Sequence, residues 1–317
     1  MAFFDMTHDG LRDYIPEVRE PEDFDQFWAK TLADSRNKSA DPELSEISSG
    51  VREFSVSDLR FSGYSGDEIA AWLVRPKNPI GVVIEYNGYG GGRSFPHERL
   101  QWPAAGYSYL FMDTRGQGSA WGSGGVTPDN YGSAPAVNGF MTKGIDSPEN
   151  YYYRRVFTDA ALLVDAVRKL DLGSDQIILT GGSQGGGITL AAAGLVEGIH
   201  AVLPDVPFLC HFERSITLTD GFPYKEIANY LSVHRDKVDS VLHTLSYFDG
   251  VNFAKRASAP ALFSAGLMDQ ICPPSTVFAA KNHYAAKSEI QTYPFNGHEG
   301  GQGHHFLKQL EWLAGTK

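Results

Sequence analysis

Leu179-Thr180-Gly181-Gly182-Ser183-Gln184-Gly185-Gly186-Gly187 reads as the end of a β-strand, a sharp G-x-S-x-G turn and the opening of a helix. A serine hydroxyl is a poor nucleophile unless it projects beside a general base, and a strained strand-to-helix turn supplies that projection. Ser183 is therefore the candidate nucleophile. Gly181 and Gly185 stand two residues either side of it, where the neighbouring backbones must pass without side-chain clashes. Upstream, residues 176–179 are short, apolar and branched. Downstream, residues 187–196 are small and apolar, which suits a helix buried against a sheet. No Lys-Ser or Lys-Thr pair follows the glycines, which argues against a phosphate-binding loop. A glycine-rich turn without chemistry is the alternative that this stretch alone leaves open.

Outward from the turn, hydrophobic periodicity lays out alternating strands and helices. Residues 24–36 carry a helical apolar stripe of Phe24, Phe27, Trp28 and Leu32, expected to pack an N-terminal extension (1–40) onto the body. Residues 54–61, 68–75 and 80–86 read as strands, the first two joined through Gly63-Tyr64-Ser65-Gly66. A helix-like segment (96–105) and a strand (107–112) follow. The Gly-, Pro- and Asn-rich stretch up to residue 150 is too long for a simple connector and reads as a functional loop on one rim. Residues 151–170 form an amphipathic helix leading into the nucleophile strand, and 200–203 reads as the next strand. Residues 208–250 form a mostly helical insertion expected near the active site. Two last units, strand 261–265 with helix 275–286 and strand 290–293 with helix 304–313, complete the pattern. One α/β domain over 1–317 is expected, an α/β-hydrolase fold with a mostly parallel central sheet and helices on both faces.

In such a fold the nucleophile is followed in the chain by an acid and then a histidine, each at the carboxyl end of a strand. Asp269 follows the strand 261–265, and His298 stands on a Gly-flanked loop after the strand 290–293. Ser183, Asp269 and His298 are the candidate triad: His298 would take and return the proton, and Asp269 would fix its tautomer. Asp269 as a helix cap is the competing reading. Asp249 looks more like a turn residue, and His304 and His305 fall at a helix start. The oxyanion needs two donors, and the sequence offers the main-chain N–H of Gln184 and, from the glycine-rich loop after 80–86, that of Tyr89. The three nearby histidines lack the spacing of a zinc site, so no metal and no cofactor is expected.

The formal charge of −11 opposes nucleic-acid backbones and anionic membranes as partners. No run of about 18 apolar residues and no signal-peptide core is visible, so no membrane partner is expected. Cys210 and Cys272 have no framework spacing and read as buried small hydrophobes of a reducing, cytoplasmic compartment.

With these residues in hand, the chain resembles the acetyl xylan esterase and cephalosporin C deacetylase family, the seventh carbohydrate esterase family. Arg115-Gly116-Gln117, Gly181-Gly182-Ser183-Gln184-Gly185 and His298-Glu299 carry the resemblance. It extends nearly end to end through 151–159, 205–212, Leu267-Met268-Asp269 and 271–276. The resemblance implies a serine esterase that deacetylates short acetylated xylooligosaccharides and cephalosporin C, and a homo-hexamer whose sites face an interior chamber. It also implies the same triad and the same two oxyanion amides. Arg115 and Gln117 are read as holding the site rigid rather than touching substrate, and Glu299 as orienting its loop. Trp121, Phe208, Ile271 and Cys272, with Tyr89, are the candidates to line a small acyl pocket. The triad cannot by itself tell ester from amide substrates, so a peptidase is the rival enzyme, and a binding protein with a lapsed site the rival class.

Overall fold

The computed structural model describes residues 3–132 and 134–316. Nine strands form one sheet: β1 (Glu43–Glu46), β2 (Ser55–Ser62), β3 (Glu68–Arg75), β4 (Val82–Tyr86), β5 (Ser108–Met112), β6 (Ile177–Gly182), β7 (Ala201–Asp205), β8 (Ala261–Gly266) and β9 (Ser288–Tyr293). Their spatial order is β1-β2-β3-β5-β4-β6-β7-β8-β9. The β1–β2, β2–β3 and β3–β5 pairs are antiparallel and every pair from β5 to β9 is parallel, so the sheet is mostly parallel with an antiparallel edge. The edge strand β1 is exposed along its length and has no apolar alternation, which is why periodicity did not reveal it.

Because strand side chains alternate, the central strands feed two cores. Ile84, Leu179 and Val202 face one layer, with helices Tyr152–Val167 and Gln184–Leu195. Val83, Ile178 and Leu203 face the other, with Trp102 and the last helix, Gln302–Gly315. The N-terminal helix Phe24–Arg36 has the expected bounds and buries Phe24, Trp28 and Leu32, with Trp28 Nε1 donating to the Tyr247 carbonyl at 3.0 Å. The expected helix over 96–105 is instead a short 3-10 turn, Pro96–Glu98, and one helical turn, Gln101–Ala104. The insertion resolves into helices Phe212–Leu218, Tyr224–Val233 and Val238–Ser246, between β7 and β8.

Candidate active site

The turn after β6 is built by backbone packing. Ser183 adopts φ 58° and ψ −119°, a region that costs a non-glycine residue on the order of 1–3 kcal/mol and persists only where the surroundings impose it. They do so here: the Ser183 N–H donates to the Asp205 carbonyl at 2.9 Å, and its carbonyl accepts Phe208 N–H at 2.9 Å and Gly187 N–H at 3.1 Å. Gly185 shows how close the next backbone lies, since a Cβ there would sit 2.0 Å from the Tyr86 carbonyl oxygen. Gly182 is different, with nothing within 4 Å of a Cβ.

At the carboxyl ends of β8 and β9 stand the other two candidates. His298 Nδ1 lies 2.9 Å from Asp269 Oδ2. Asp269 is fully buried, and its Oδ1 accepts the Ile271 and Cys272 N–H groups at 2.8 and 2.9 Å. It does not cap the following helix, whose N-cap position is Pro273. The rival acid Asp249 caps helix Gly250–Ala254 and accepts the His211 and Phe212 amides, a structural use. Ser183 and His298 border one cavity of about 520 Å³.

Tyr89 also borders this cavity, and Gln184 is the first residue of its helix, where a main-chain N–H has no intrahelical partner. Neither amide is hydrogen-bonded to another described residue. Gln117 ties the two together: its Oε1 accepts the Gly90 N–H at 2.7 Å, and its Nε2 donates to Gln184 Oε1 at 2.8 Å. Tyr153 donates to the same Gln184 oxygen, and Gln184 Nε2 donates to the Asn87 carbonyl. Arg115 is fully buried away from the cavity. It forms a two-bond pair with Asp159 at 2.6 and 2.8 Å and reaches Asp67 at 2.9 Å, so it joins the long loop to the β2–β3 hairpin and to helix Tyr152–Val167. Glu299 borders the cavity with its carboxyl held low by the Asn296 amide at 2.6 Å.

Of the expected acyl-pocket residues, Trp121 and Ile271 line the cavity with Tyr89, whereas Phe208 and Cys272 do not. Phe208 is fully buried behind the wall, 4.2 Å from the Tyr224 ring and 6.3 Å from that of Tyr89, so it supports the wall instead of forming it. Cys272 is buried beneath the site beside the Ser183 hydroxyl, and burial pushes its thiol well up, with Asp269 acting the same way. Asp269, Cys272 and His298 bring three possible ligand atoms within 4.8 Å. Both Asp269 oxygens are already committed to N–H groups and the thiol resists ionisation, so this set reads as a hydrogen-bonded relay rather than a metal cradle.

His305, read from its place at a helix start as solvated or capping, is neither: it is buried, with Nε2 2.8 Å from Asp205 Oδ1 and Nδ1 3.0 Å from the Tyr293 hydroxyl, and Asp205 borders the cavity. The signal was present: His305, Gln309 and Leu313 recur every four residues on the buried face of the last helix.

A mostly parallel sheet with a strained serine elbow at its centre and an aspartate–histidine pair at the ends of β8 and β9 defines an α/β-hydrolase. The acetyl xylan esterase (AXE1) family profile matches residues 1–316. The chain belongs to that family and is a carboxylic ester hydrolase. It is similar to the solved acetyl xylan esterase from Paenibacillus sp. R4, with 37% identity, TM-score 0.90, and 98% of this chain and 100% of that one covered. It is also similar to acetyl xylan esterase 1 from Thermoanaerobacterium sp. JW/SL YS485, with 35% identity, TM-score 0.89, and 98% and 99% covered. Acetyl esterase Axe7A of Xylanibacter ruminicola is 24% identical over 309 residues, which span 94% of this chain and 68% of that protein. No helix among the described residues is long and apolar enough to cross a membrane.

Proposed function

We propose that the protein is a serine esterase that removes acetyl groups from short acetylated xylooligosaccharides and from cephalosporin C through an acetyl-enzyme. The observation that carries this reading is the Asp269–His298 hydrogen bond opening onto the same cavity as Ser183 on its strained turn. Ser183 Oγ attacks the acetyl carbonyl carbon while His298 Nε2 takes the hydroxyl proton. The carbonyl electron pair moves onto oxygen, where the Gln184 and Tyr89 amides receive it. As the tetrahedral intermediate collapses, the ester C–O bond breaks and His298 returns the proton to the leaving sugar oxygen. Water, deprotonated by the same imidazole, then releases acetate and restores Ser183. Asp269 keeps the Nδ1–H tautomer and stabilises the imidazolium throughout.

The cavity wall supports a small acyl group and an uncharged leaving group. Trp121 and Ile271 close in on it, and among the described residues it carries Asp205 and Glu299 but no lysine or arginine. Cephalosporin C, an anion, should therefore be turned over less efficiently than a neutral acetylated sugar. One sheet spanning the chain supports a single domain over 1–317, and two buried free thiols suit a cytoplasmic location. A homo-hexamer follows from the family resemblance and is checked by sizing the assembly. No cofactor enters any step.

The decisive experiment is hydrolysis of a chromogenic acetate ester. Ser183→Ala should stay folded and lose roughly 10⁴-fold or more of turnover, and butyryl or longer esters should react poorly. A folded Ser183→Ala variant with full turnover would refute the mechanism. A panel of acetylated xylooligosaccharides, cephalosporin C and peptide substrates ranks the substrates and tests the peptidase alternative.

A further inference from the structure

One half-buried carboxylate joins the helical insertion to the loop that carries Tyr89, and the steps above do not use it. Glu226 lies in the first turn of helix Tyr224–Val233, directly after Phe222 and Pro223, which border the cavity. It accepts the Tyr89 hydroxyl at 2.8 Å on Oε1 and 2.9 Å on Oε2, and the Met141 N–H at 3.1 Å on Oε2. The Tyr89 oxygen itself accepts the Phe140 N–H at 2.8 Å and the Gly139 N–H at 3.2 Å. A phenol that donates once and accepts twice has no hydrogen-bonding capacity left, so the far end of this side chain is fixed in all directions. The near end is held as well, because Trp121 Nε1 donates to the Tyr89 carbonyl at 2.7 Å. Between the two anchors sits the unpartnered Tyr89 N–H.

We propose that Glu226 is a positioning residue for the reaction: by holding the Tyr89 hydroxyl it sets where the second oxyanion amide points, so the insertion helix takes part in transition-state stabilisation. This rests on the esterase reading of the site. The chemistry of the tie argues for such a role. Burying a carboxylate is unfavourable, and burial indeed pushes the Glu226 carboxyl up, whereas a neutral amide would fill the same space with a smaller desolvation penalty. A carboxylate gives in return a shorter and stronger charge-assisted bond that accepts from Tyr89 and Met141 together without offering either a competing donor. Oxyanion stabilisation depends on placement to a few tenths of an ångström, and Glu226 clamps one of the two side chains whose main chains must be so placed. No other group of the insertion hydrogen-bonds to Tyr89.

Steady-state kinetics on a chromogenic acetate ester test the proposal, with melting curves to establish that each variant is folded. Glu226→Ala should lower kcat by about tenfold, less than the roughly 100- to 1000-fold expected for deleting an oxyanion donor outright, while KM stays within about twofold because the interaction is made in the transition state. Glu226→Gln keeps one acceptor for the Tyr89 hydroxyl and should recover most of kcat. Tyr89→Phe cuts the same tie from the other end and should lose as much kcat as Glu226→Ala, and the double variant should lose no more than either alone. Unchanged kcat in folded Glu226→Ala, an effect confined to KM, or losses that multiply in the double variant would each overturn the proposal. If Glu226→Ala does not fold, Tyr89→Phe decides, with unchanged kcat counting against it. An active parent with indifferent Glu226 variants refutes this proposal alone, whereas an inactive parent refutes the esterase reading and this inference with it.

Discussion

The two sides of the cavity beside Ser183 are held in place by different forces. On the serine side, backbone meets backbone: the Ser183 turn is pinned by main-chain bonds to Asp205, Phe208 and Gly187, and Gly185 lies against the Tyr86 carbonyl. On the oxyanion side, side chains do the holding: Gln117 bridges the Gly90 amide and Gln184, Glu226 grips Tyr89, and the Asp113 carboxylate gathers the Arg93, Val126 and Thr127 amides beneath the long loop. A backbone-held turn has one solution and fails as a unit, whereas a side-chain-held loop can be loosened one tie at a time. Damage on the first side should therefore be read as loss of fold, and on the second as loss of turnover in a folded protein.

The largest effect is expected on the serine side. Gly185→Ala places a methyl group 2.0 Å from the Tyr86 oxygen, which main-chain atoms on both sides cannot relieve. It should destabilise the protein by more than about 4 kcal/mol and appear as a collapsed melting temperature or insoluble protein. Gly182→Ala, immediately before the serine on the cavity side, meets nothing and should melt within a degree or two of the parent. Equal behaviour of the two variants would break the distinction.

Gln117→Ala tests the other side. It removes the acceptor of the Gly90 N–H and the donor to Gln184, both fully buried, so about 1–3 kcal/mol of stability should go. Turnover should fall further than stability suggests, by about 10- to 100-fold in kcat, because each proposed oxyanion amide loses a neighbour that positions it. A variant whose kcat is normal below its melting temperature would mean that the backbone alone sets the loop.

The same division explains what the sequence disclosed. Backbone-held features leave local signatures: the glycines around Ser183, the branched run of β6, the helix Phe24–Arg36 and the chain order of Ser183, Asp269 and His298 were all legible, and the structure sets Asp269 against His298 as that order anticipates. Side-chain ties join residues far apart in the chain and have no local pattern. Nothing near Tyr89 announces Glu226, 137 positions on, and nothing near Arg115 announces Asp159. Phe208 and Cys272 were misplaced for a related reason: an apolar residue beside a pocket in sequence can as well stand behind its wall, and only packing separates the two. His305 reads as solvated or capping because its partner, Asp205, ends a strand in another part of the chain.

The smallest expected effect concerns the anchor of the insertion, which also depends on side chains. His211 begins helix Phe212–Leu218 in the left-handed region at φ 48°, and its N–H donates to Asp249 Oδ1 at 2.8 Å. Its ring is buried with Nδ1 unpartnered, and burial, aided by Arg214 and His283, pushes it down to about 4. In the unfolded chain an ordinary histidine takes up its proton near pH 6.5, so on acidification the unfolded state is protonated first. Stability is then lost as the pH falls from about 6.5 to about 4, and this group removes no more below that. His211→Asn keeps the N–H bond, tolerates the left-handed backbone and does not titrate. The parent should lose melting temperature across this window, and His211→Asn should lose less, by at most about 3 kcal/mol at the acid end. Parallel pH profiles for the two proteins would show that the insertion is docked through contacts insensitive to this ring, placing its anchor with the backbone-held side of the molecule.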